Sequence, residues 1–266
     1  SGGESPTDLL QDGVIKIVST FDDFAALKED GSVVIWGNVE QYSSSSRSYY
    51  QDPSYINHYL KNDVVDIFAT DGAMAALKED GSVVTWGSRE DGGNPEYTDD
   101  KFLTALSSDV KEIYSFRDAF AVIKKDGSAF GWSDNFGNSI ITEPVKSIHS
   151  DGRNIIIYEL EDGTFEIHSS QGQYKGEFKY IDRSDPFNTI FLDVTIEKIF
   201  SSEDGVYLSS NEGFIFSPDL NNSDEPFIIN DEYMYGGSEE NKVKDVYFTL
   251  YESVALMEDG SVIPLL

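Results

Sequence analysis

The chain has no cysteine in 266 residues. That excludes disulfides, thiolate nucleophiles and cysteine-ligated metals, but leaves the compartment open, because many exported bacterial proteins also lack the residue. Basic residues are scarce: 19 Lys and Arg face 49 Asp and Glu, for a formal charge of −30. A field of that sign repels phosphate backbones and anionic headgroups, so nucleic acid is not expected as a partner and cationic ones are favoured. No run approaches the roughly 18 apolar residues of a membrane helix, so no membrane insertion is expected. The start, Ser1 to Asp8, has neither the basic region nor the apolar stretch of a signal peptide, and reads as the edge of a monomeric module cut from a longer chain. Hydrophobic residues still make up 39% and aromatics 13%. That is enough for a sizeable core rather than a disordered acidic tail.

One unit recurs six times. It is clearest in Phe24 to Gly37 (FAALKEDGSVVIWG) and Met74 to Gly87 (MAALKEDGSVVTWG). The anchoring glycines are Gly31, Gly81, Gly127, Gly163, Gly213 and Gly260, 36 to 50 residues apart, which is the spacing of propeller blades or solenoid turns. Ile17, Ile67, Ile113, Ile199 and Val246 each stand fourteen residues before their glycine, whereas Ile148 stands fifteen before Gly163, an added residue that predicts a bulge. Two residues after each glycine comes Val33, Val83, Ala129, Phe165, Ile215 or Val262, an apolar position kept in all copies.

Each unit predicts three short strands, as at 64–69, 73–78 and 82–86, with the second and third joined by an Asp-Gly hairpin that needs positive φ. Runs such as Val14 to Val18 and Ile155 to Tyr158 are nearly continuous in apolar character, so sheets covered on both faces are expected. Long helical periodicity is absent, which leaves radial stacking of small antiparallel sheets. The fold class is therefore all-β, a β-propeller of six or seven blades occupying 14–266 as one domain after a lead-in at 1–13.

Ala76 to Gly87, Ala-Leu-Lys-Glu-Asp-Gly-Ser-Val-Val-Thr-Trp-Gly, resembles the repeat of the regulator of chromosome condensation family, in the bacterial form that beta-lactamase inhibitor protein II also carries. The resemblance runs from about residue 14 to 266; it is strong in copies one to three, recognisable in six and weak in four and five. It implies a propeller with seven blades in the best-known members, against six units counted here. It also implies two functions: guanine-nucleotide exchange on a small GTPase, and inhibition of an enzyme such as a β-lactamase. The Gly-Gln-Leu-Gly element of eukaryotic members is missing, and no residue-level match to an inhibitory contact surface is present.

Strand alternation places the first-to-second turns and the exits after Trp-Gly on one edge, and the uniform Asp-Gly hairpins on the other. The variable edge is where a ligand is expected. Its turns carry Phe21, Asp22 and Asp23, Asp71, Phe116, Arg117 and Asp118, Asp151 and Arg153, Glu203 and Asp204, and Tyr251 and Glu252. The summed carboxylates suit a Lys- or Arg-rich partner or a divalent cation, although Asp is also common in turns for its local hydrogen bonding. The linker Gln41 to Leu60 holds Tyr42, Tyr49, Tyr50, Tyr55 and Tyr59 among six serines, with Arg47 and His58 as polar accessories. Tyrosine with serine is the chemistry of antibody recognition loops, and equally of a solvated loop packed on a blade flank. The linker Arg89 to Asp109, with Asp91 and Asp99-Asp100, offers oxygen ligands for calcium, but its spacing matches no calcium loop. Linkers 169–195 and 217–242 add Tyr174, Tyr180, Tyr233 and Tyr235 as contact surface.

His149 aligns with Phe68 and Tyr114, and His168 with Trp86 and Trp132, so both are expected as structural substitutes for aromatics. With no phosphate-cradling loop or nucleophile elbow, the expectation is a non-catalytic module without a cofactor. It would recognise a protein or glycan on the variable edge, as part of a secreted or surface-attached bacterial protein such as an adhesin, or of one injected into a host cell.

Overall fold

The computed structural model describes residues 6–37, 53–93, 104–133, 137–151, 155–169, 172–176, 178–182, 190–202, 205–211, 213–216, 228–229, 234–235, 238, 240–249 and 252–265. The first repeat forms β1 (Val14–Ser19), β2 (Asp23–Lys28) and β3 (Val33–Gly37), after which a short helix α1 (Pro53–Tyr59) leads into β4 (Val64–Ala69), β5 (Ala73–Lys78) and β6 (Val83–Gly87). The third repeat is β7 (Val110–Ser115), β8 (Phe120–Lys124) and β9 (Ala129–Ser133), extended by β10 (Gly137–Ile141); the fourth is β11 (Val145–Ser150), β12 (Ile155–Leu160), β13 (Phe165–Ser169) and β14 (Gly172–Gly176). After β15 (Lys179–Asp182) and β16 (Ile190–Asp193) comes the fifth repeat, β17 (Ile196–Ser202), β18 (Gly205–Ser210) and β19 (Ile215–Phe216). Then follow β20 (Ile228–Ile229), β21 (Met234–Tyr235) and the sixth repeat, β22 (Val243–Phe248), β23 (Ser253–Met257) and β24 (Val262–Leu265).

The six repeats are thus six small antiparallel sheets, the blade architecture of the all-β propeller class. Three of them have four strands where the sequence predicts three, because β10, β14 and β21 run back along the free edge of the third strand. A seventh sheet lies outside the repeat: β15 pairs antiparallel with β16 and parallel with β20.

The Asp-Gly hairpins are three-residue loops rather than two-residue ones. Lys28 N donates to Ser32 O at 2.9 Å and Gly31 N to Lys28 O at 3.0 Å, with Gly31 at φ 75°, a type I turn closed by a left-handed glycine. Asp30 completes the turn by accepting from Ser32 N at 3.0 Å and Ser32 Oγ at 2.6 Å. The same pair of bonds recurs at Asp80, Asp126, Asp162 and Asp259. The Ser32 hydroxyl, then its amide, holds the Asp30 carboxyl below the usual carboxylate range.

The bulge falls elsewhere than the added residue predicts. Register slips occur at the start of the first strand in the copies with the regular spacing, between Val14 and Lys16, Val64 and Asp66, Val110 and Glu112, Ile196 and Lys198, and Val243 and Asp245. β11 is six residues long, as are β4 and β7. The residue added in copy four therefore lies after Ser150, in the connection to β12.

The chain divides into two compact units, 1–145 and 146–266. Inside the first, each hairpin docks on the next repeat: Val64 N donates to Gly31 O at 3.0 Å, Val110 N to Gly81 O at 3.0 Å and Val145 N to Gly127 O at 2.9 Å. Side chains follow the same order. Ala25, Leu27 and Val33 of the first sheet pack against Val64, Ile67, Met74, Ala76 and Trp86 of the second. The second sheet's opposite face, Ala73 and Ala75, packs against Val110, Ile113, Phe120, Val122 and Trp132. In the second unit Ile157 and Phe165 pack with Phe178, Val206 and Leu208, and Ile215 packs with Val243, Val246 and Leu265. Middle strands are covered on both faces, as their continuous apolar runs predict. β1 is not: Ile15 and Ile17 are 59% and 57% exposed.

Candidate functional site

The variable edge is built from a recurring threonine. Thr20 Oγ1 accepts from Asp22 N at 3.3 Å and Asp23 N at 3.0 Å while Thr20 N donates to Asp23 O at 2.9 Å, which closes the β1–β2 turn. Thr70 and Thr249 close the corresponding turns of copies two and six in the same way. Successive turns of the first unit are then tied together: Phe21 N donates to Asp71 O at 2.8 Å, and Asp71 N to Arg117 O at 2.7 Å. Phe21 is 77% exposed.

The exit from β6 folds onto this edge. Ser88 N donates to Gly72 O at 2.7 Å, and Gly92 O accepts from Trp132 Nε1 at 2.9 Å, so residues 88–93 bridge copies two and three. The loop brings the Asp91 carboxylate against Gly72, where any side chain would collide with it. Burial first, then the charges of Asp71 and Glu90, push the Asp91 carboxyl above its ordinary range, against a hydrogen bond from Ser88. Arg117 Nε reaches Asp71 Oδ2 at 3.1 Å. The edge thus combines an open aromatic ring, crowded carboxylates and one engaged guanidinium.

Of the residues singled out in the sequence, the structure brings Asp22, Asp23, Asp71, Phe116, Arg117 and Asp118 onto these adjacent turns. Arg117 pairs with Asp71 across 46 residues of sequence. Asp151, in the second unit, accepts from Ile155 N at 3.1 Å and so caps the start of β12. Arg153 and Tyr251 lie outside the described residues, as do Tyr42, Arg47, Tyr49 and Tyr50.

The C-terminal part of that tyrosine linker is not a loop but α1, which includes Tyr55. Ile56 and Leu60, one turn apart, are 2% and 1% exposed in the core between the first two sheets. His58 stays exposed, edge-on to Tyr59 with ring centroids 5.6 Å apart, and the Tyr59 carbonyl accepts from Lys78 Nζ at 3.1 Å. The helix is therefore anchored on a blade flank by Ile56 and Leu60, while His58 and Tyr59 stay exposed. Among the described residues no group of three or more His, Asp or Glu is placed to hold a metal ion. Among them, too, no helix is long and apolar enough to cross a membrane.

Of the two repeat-aligned histidines, His168 is packed like an aromatic, whereas His149 is held by serine hydroxyls. His168 is buried, edge-on to Tyr158 at 5.3 Å, and burial first, opposed by Glu166, lowers its pKa. His149 Nε2 lies 2.8 Å from Ser147 Oγ, which donates to Glu159 Oε2 at 2.7 Å, and Nδ1 lies 3.4 Å from Ser201 Oγ. Burial pushes the His149 pKa down from 6.5 to about 4, against the attraction of Glu159. The unfolded chain therefore binds this proton first, and stability present above pH 6.5 is lost as pH falls toward 4. Between pH 7.5 and 5 the loss from this group is about 2 kcal/mol. Urea unfolding at the two values should show it, and His149→Phe, which carries no proton, should flatten that part of the slope.

No protein-family model matches the chain, and no curated protein matches it. Solved structures that align with it include Prp20p from Saccharomyces cerevisiae, studied for its binding to Gsp1p and histones, at 16% identity over 97% of this chain and 72% of that one, with a TM-score of 0.45. Yeast RCC1 (Prp20) in a structure with Kap60 aligns at 15% identity over 97% of this chain and 70% of that one, TM-score 0.44. Human WBSCR16 aligns at 14% identity over 94% of this chain and 60% of that one, TM-score 0.41.

Proposed function

We propose that this chain is a non-catalytic recognition module that grips a basic protein surface, or a glycan, with the first-to-second turns of its blades. The observation that carries the reading is the tied row of turns at Phe21, Asp71 and Arg117, where a 77% exposed aromatic ring stands beside crowded carboxylates. A bare aromatic surrounded by partly desolvated charge has the make-up of an interface anchor, and the overall charge of −30 would steer a cationic partner toward it. In the first unit the Asp-Gly edge is committed to holding the next repeat. An acidic, cysteine-free module of this kind suits display on or release from a bacterial cell, as in an adhesin.

Arrays of Lys- and Arg-rich peptides and of glycans test the reading. The tightest ligand should lose about tenfold in affinity on Phe21→Ala, the size of a single interface anchor. It should lose a comparable factor on Asp71→Asn, while Thr164→Ala on the opposite edge leaves binding unchanged. The Asp71–Arg117 pair is partly solvated and worth at most about 1 kcal/mol, so the fold survives that change. Absence of any ligand, or equal binding by the Phe21 and Thr164 variants, would refute it.

A further inference from the structure

Two donors hold the loop 88–93 between the second and third repeats. Thr70 Oγ1 donates to Asp91 O at 3.0 Å, closer than Ala73 O at 3.2 Å, and Trp132 Nε1 donates to Gly92 O at 2.9 Å. One repeat's threonine and the next repeat's tryptophan thus read two successive main-chain carbonyls. The same pair stands between the first and second repeats: Thr20, like Thr70, is eleven residues before its turn glycine, and Trp86, like Trp132, is five after. Here neither donor meets an acceptor among the described residues. Trp86 is 8% exposed and its Nε1 is buried without a hydrogen-bond partner, while Thr20 Oγ1 accepts from the amides of Asp22 and Asp23 and donates to no group. A buried N–H in this state has lost its bond to water and recovers one only from an incoming acceptor.

We propose that the notch marked by Thr20 and Trp86 is a docking site for the main chain of a partner protein, and that the segment it takes is Lys or Arg followed by glycine. The proposal rests on the reading of the variable edge as a recognition surface and names what that edge grips. The loop 88–93 specifies the occupant. Gly92 has φ 91°, and a Cβ there would stand 2.9 Å from the Phe120 ring and 3.3 Å from Trp132 Nε1, so the second carbonyl belongs to a glycine. Met74 and Trp86 hold those two places in the first notch. The residue before the glycine, Asp91, lays its carboxylate on Gly72 and feels the charge of Asp71. In the first notch the counterparts of Gly72 and Asp71 are Asp22 and Phe21, which reverses the preference. A second carboxylate would be repelled by Asp22, whereas a Lys or Arg side chain meets that carboxylate and the exposed Phe21 ring. The chain does not carry such a pair at the matching place in its own sequence: Asp91 and Gly92 are four and five residues after Gly87, and Gln41 and Tyr42 are four and five after Gly37.

The chain has three tryptophans, so its indole N–H signals in NMR are few and can be assigned by single Trp→Phe changes. Titration with a short capped peptide carrying a central Arg-Gly should move the Trp86 N–H signal downfield, toward the position of the bonded Trp132 N–H. The same peptide with Arg-Ala or Glu-Gly should bind about tenfold more weakly, the loss expected for one anchoring contact. Trp86→Phe keeps a ring in the core and removes only the donor, and should lose a comparable factor; the shift on the unaltered chain gives the same answer without relying on that variant to fold. A Trp86 signal that already matches Trp132 in the free chain would mean that the notch is filled from within, and would overturn the proposal. Binding that leaves the Trp86 signal in place, or that survives Trp86→Phe, would overturn it while leaving the recognition reading intact. Failure of Arg-Gly and Lys-Gly peptides to bind would also overturn it, and the reading beneath it falls only if the wider arrays yield no ligand either.

Discussion

Phe120→Ala is expected to cost about 3–5 kcal/mol of stability, whereas Phe24→Ala, the same position of the repeat, should cost about 1–2 kcal/mol in dilute solution. Both rings stand seven residues before their turn glycine, and both lie on a tryptophan: Phe24 and Trp36 have centroids 5.3 Å apart at 13°, Phe120 and Trp132 5.5 Å at 34°. The difference lies on the other side of the ring. Phe120 is 0% exposed, pressed onto Ala73 and Ala75 of the second sheet with Gly92 closing above it, so truncation opens a cavity that rigid strands cannot collapse. Phe24 is only partly buried, so water fills part of the space a truncated side chain leaves. Urea midpoints at low protein concentration, converted with a common slope, measure the two costs. Equal costs would show that the partial exposure of Phe24 does not lessen its contribution.

How much of this was legible in the sequence depends on the range of the interaction. The Asp-Gly turns, the apolar position two residues after the glycine, buried in four of the six copies and exposed at Val262, and the covered middle strands are local or strictly periodic, and they emerge from aligning the copies. The αL residue eighteen before the glycine was equally periodic but disguised by its chemistry. Gly13, Asp63 and Asp109 have φ of 68°, 64° and 63°, and aspartate reads as a charge before it reads as a backbone conformation. The threonine at Thr20, Thr70 and Thr249 was overlooked for a similar reason, since a hydroxyl beside acidic turns draws less notice than the carboxylates it positions. The fourth strands, the helix α1 and the sheet of β15, β16 and β20 lie in linkers where no repeat holds the register, and there a short apolar run does not say which edge it will join. On the candidate edge, the Arg117–Asp71 pair and the placing of Asp91 against Gly72 join residues from different copies and a linker. Phe21 stood in the sequence as one turn residue among several, and only its 77% exposure beside those groups gives it a role.

Gly81→Ala should be among the most damaging single-methyl additions to the chain, at about 3–5 kcal/mol, while Gly163→Ala at the same turn position costs about 1–2 kcal/mol. The backbone angles barely differ, φ 80° and 86°, so the strain of holding an alanine in the left-handed region is common to both. What differs is the neighbour. A Cβ at Gly81 would stand 2.7 Å from Asp109 N and 3.0 Å from Val110 N, backbone atoms of the next repeat, whereas at Gly163 nothing lies within 4 Å. To make room, the third repeat must retreat from the second, which lengthens the 3.0 Å bond from Val110 N to Gly81 O and loosens Val110 and Ile113 in the core beside it. Gly163→Asn should recover part of the loss at that site, because asparagine tolerates positive φ, but Gly81→Asn should recover little, because the collision is with main chain and not with conformation. Chemical denaturation of the four variants separates the two causes. Equal costs for the two alanines would mean that the hairpin glycines are kept for their turn alone, and that the approach of one repeat's hairpin to the next repeat's backbone carries no part of the stacking.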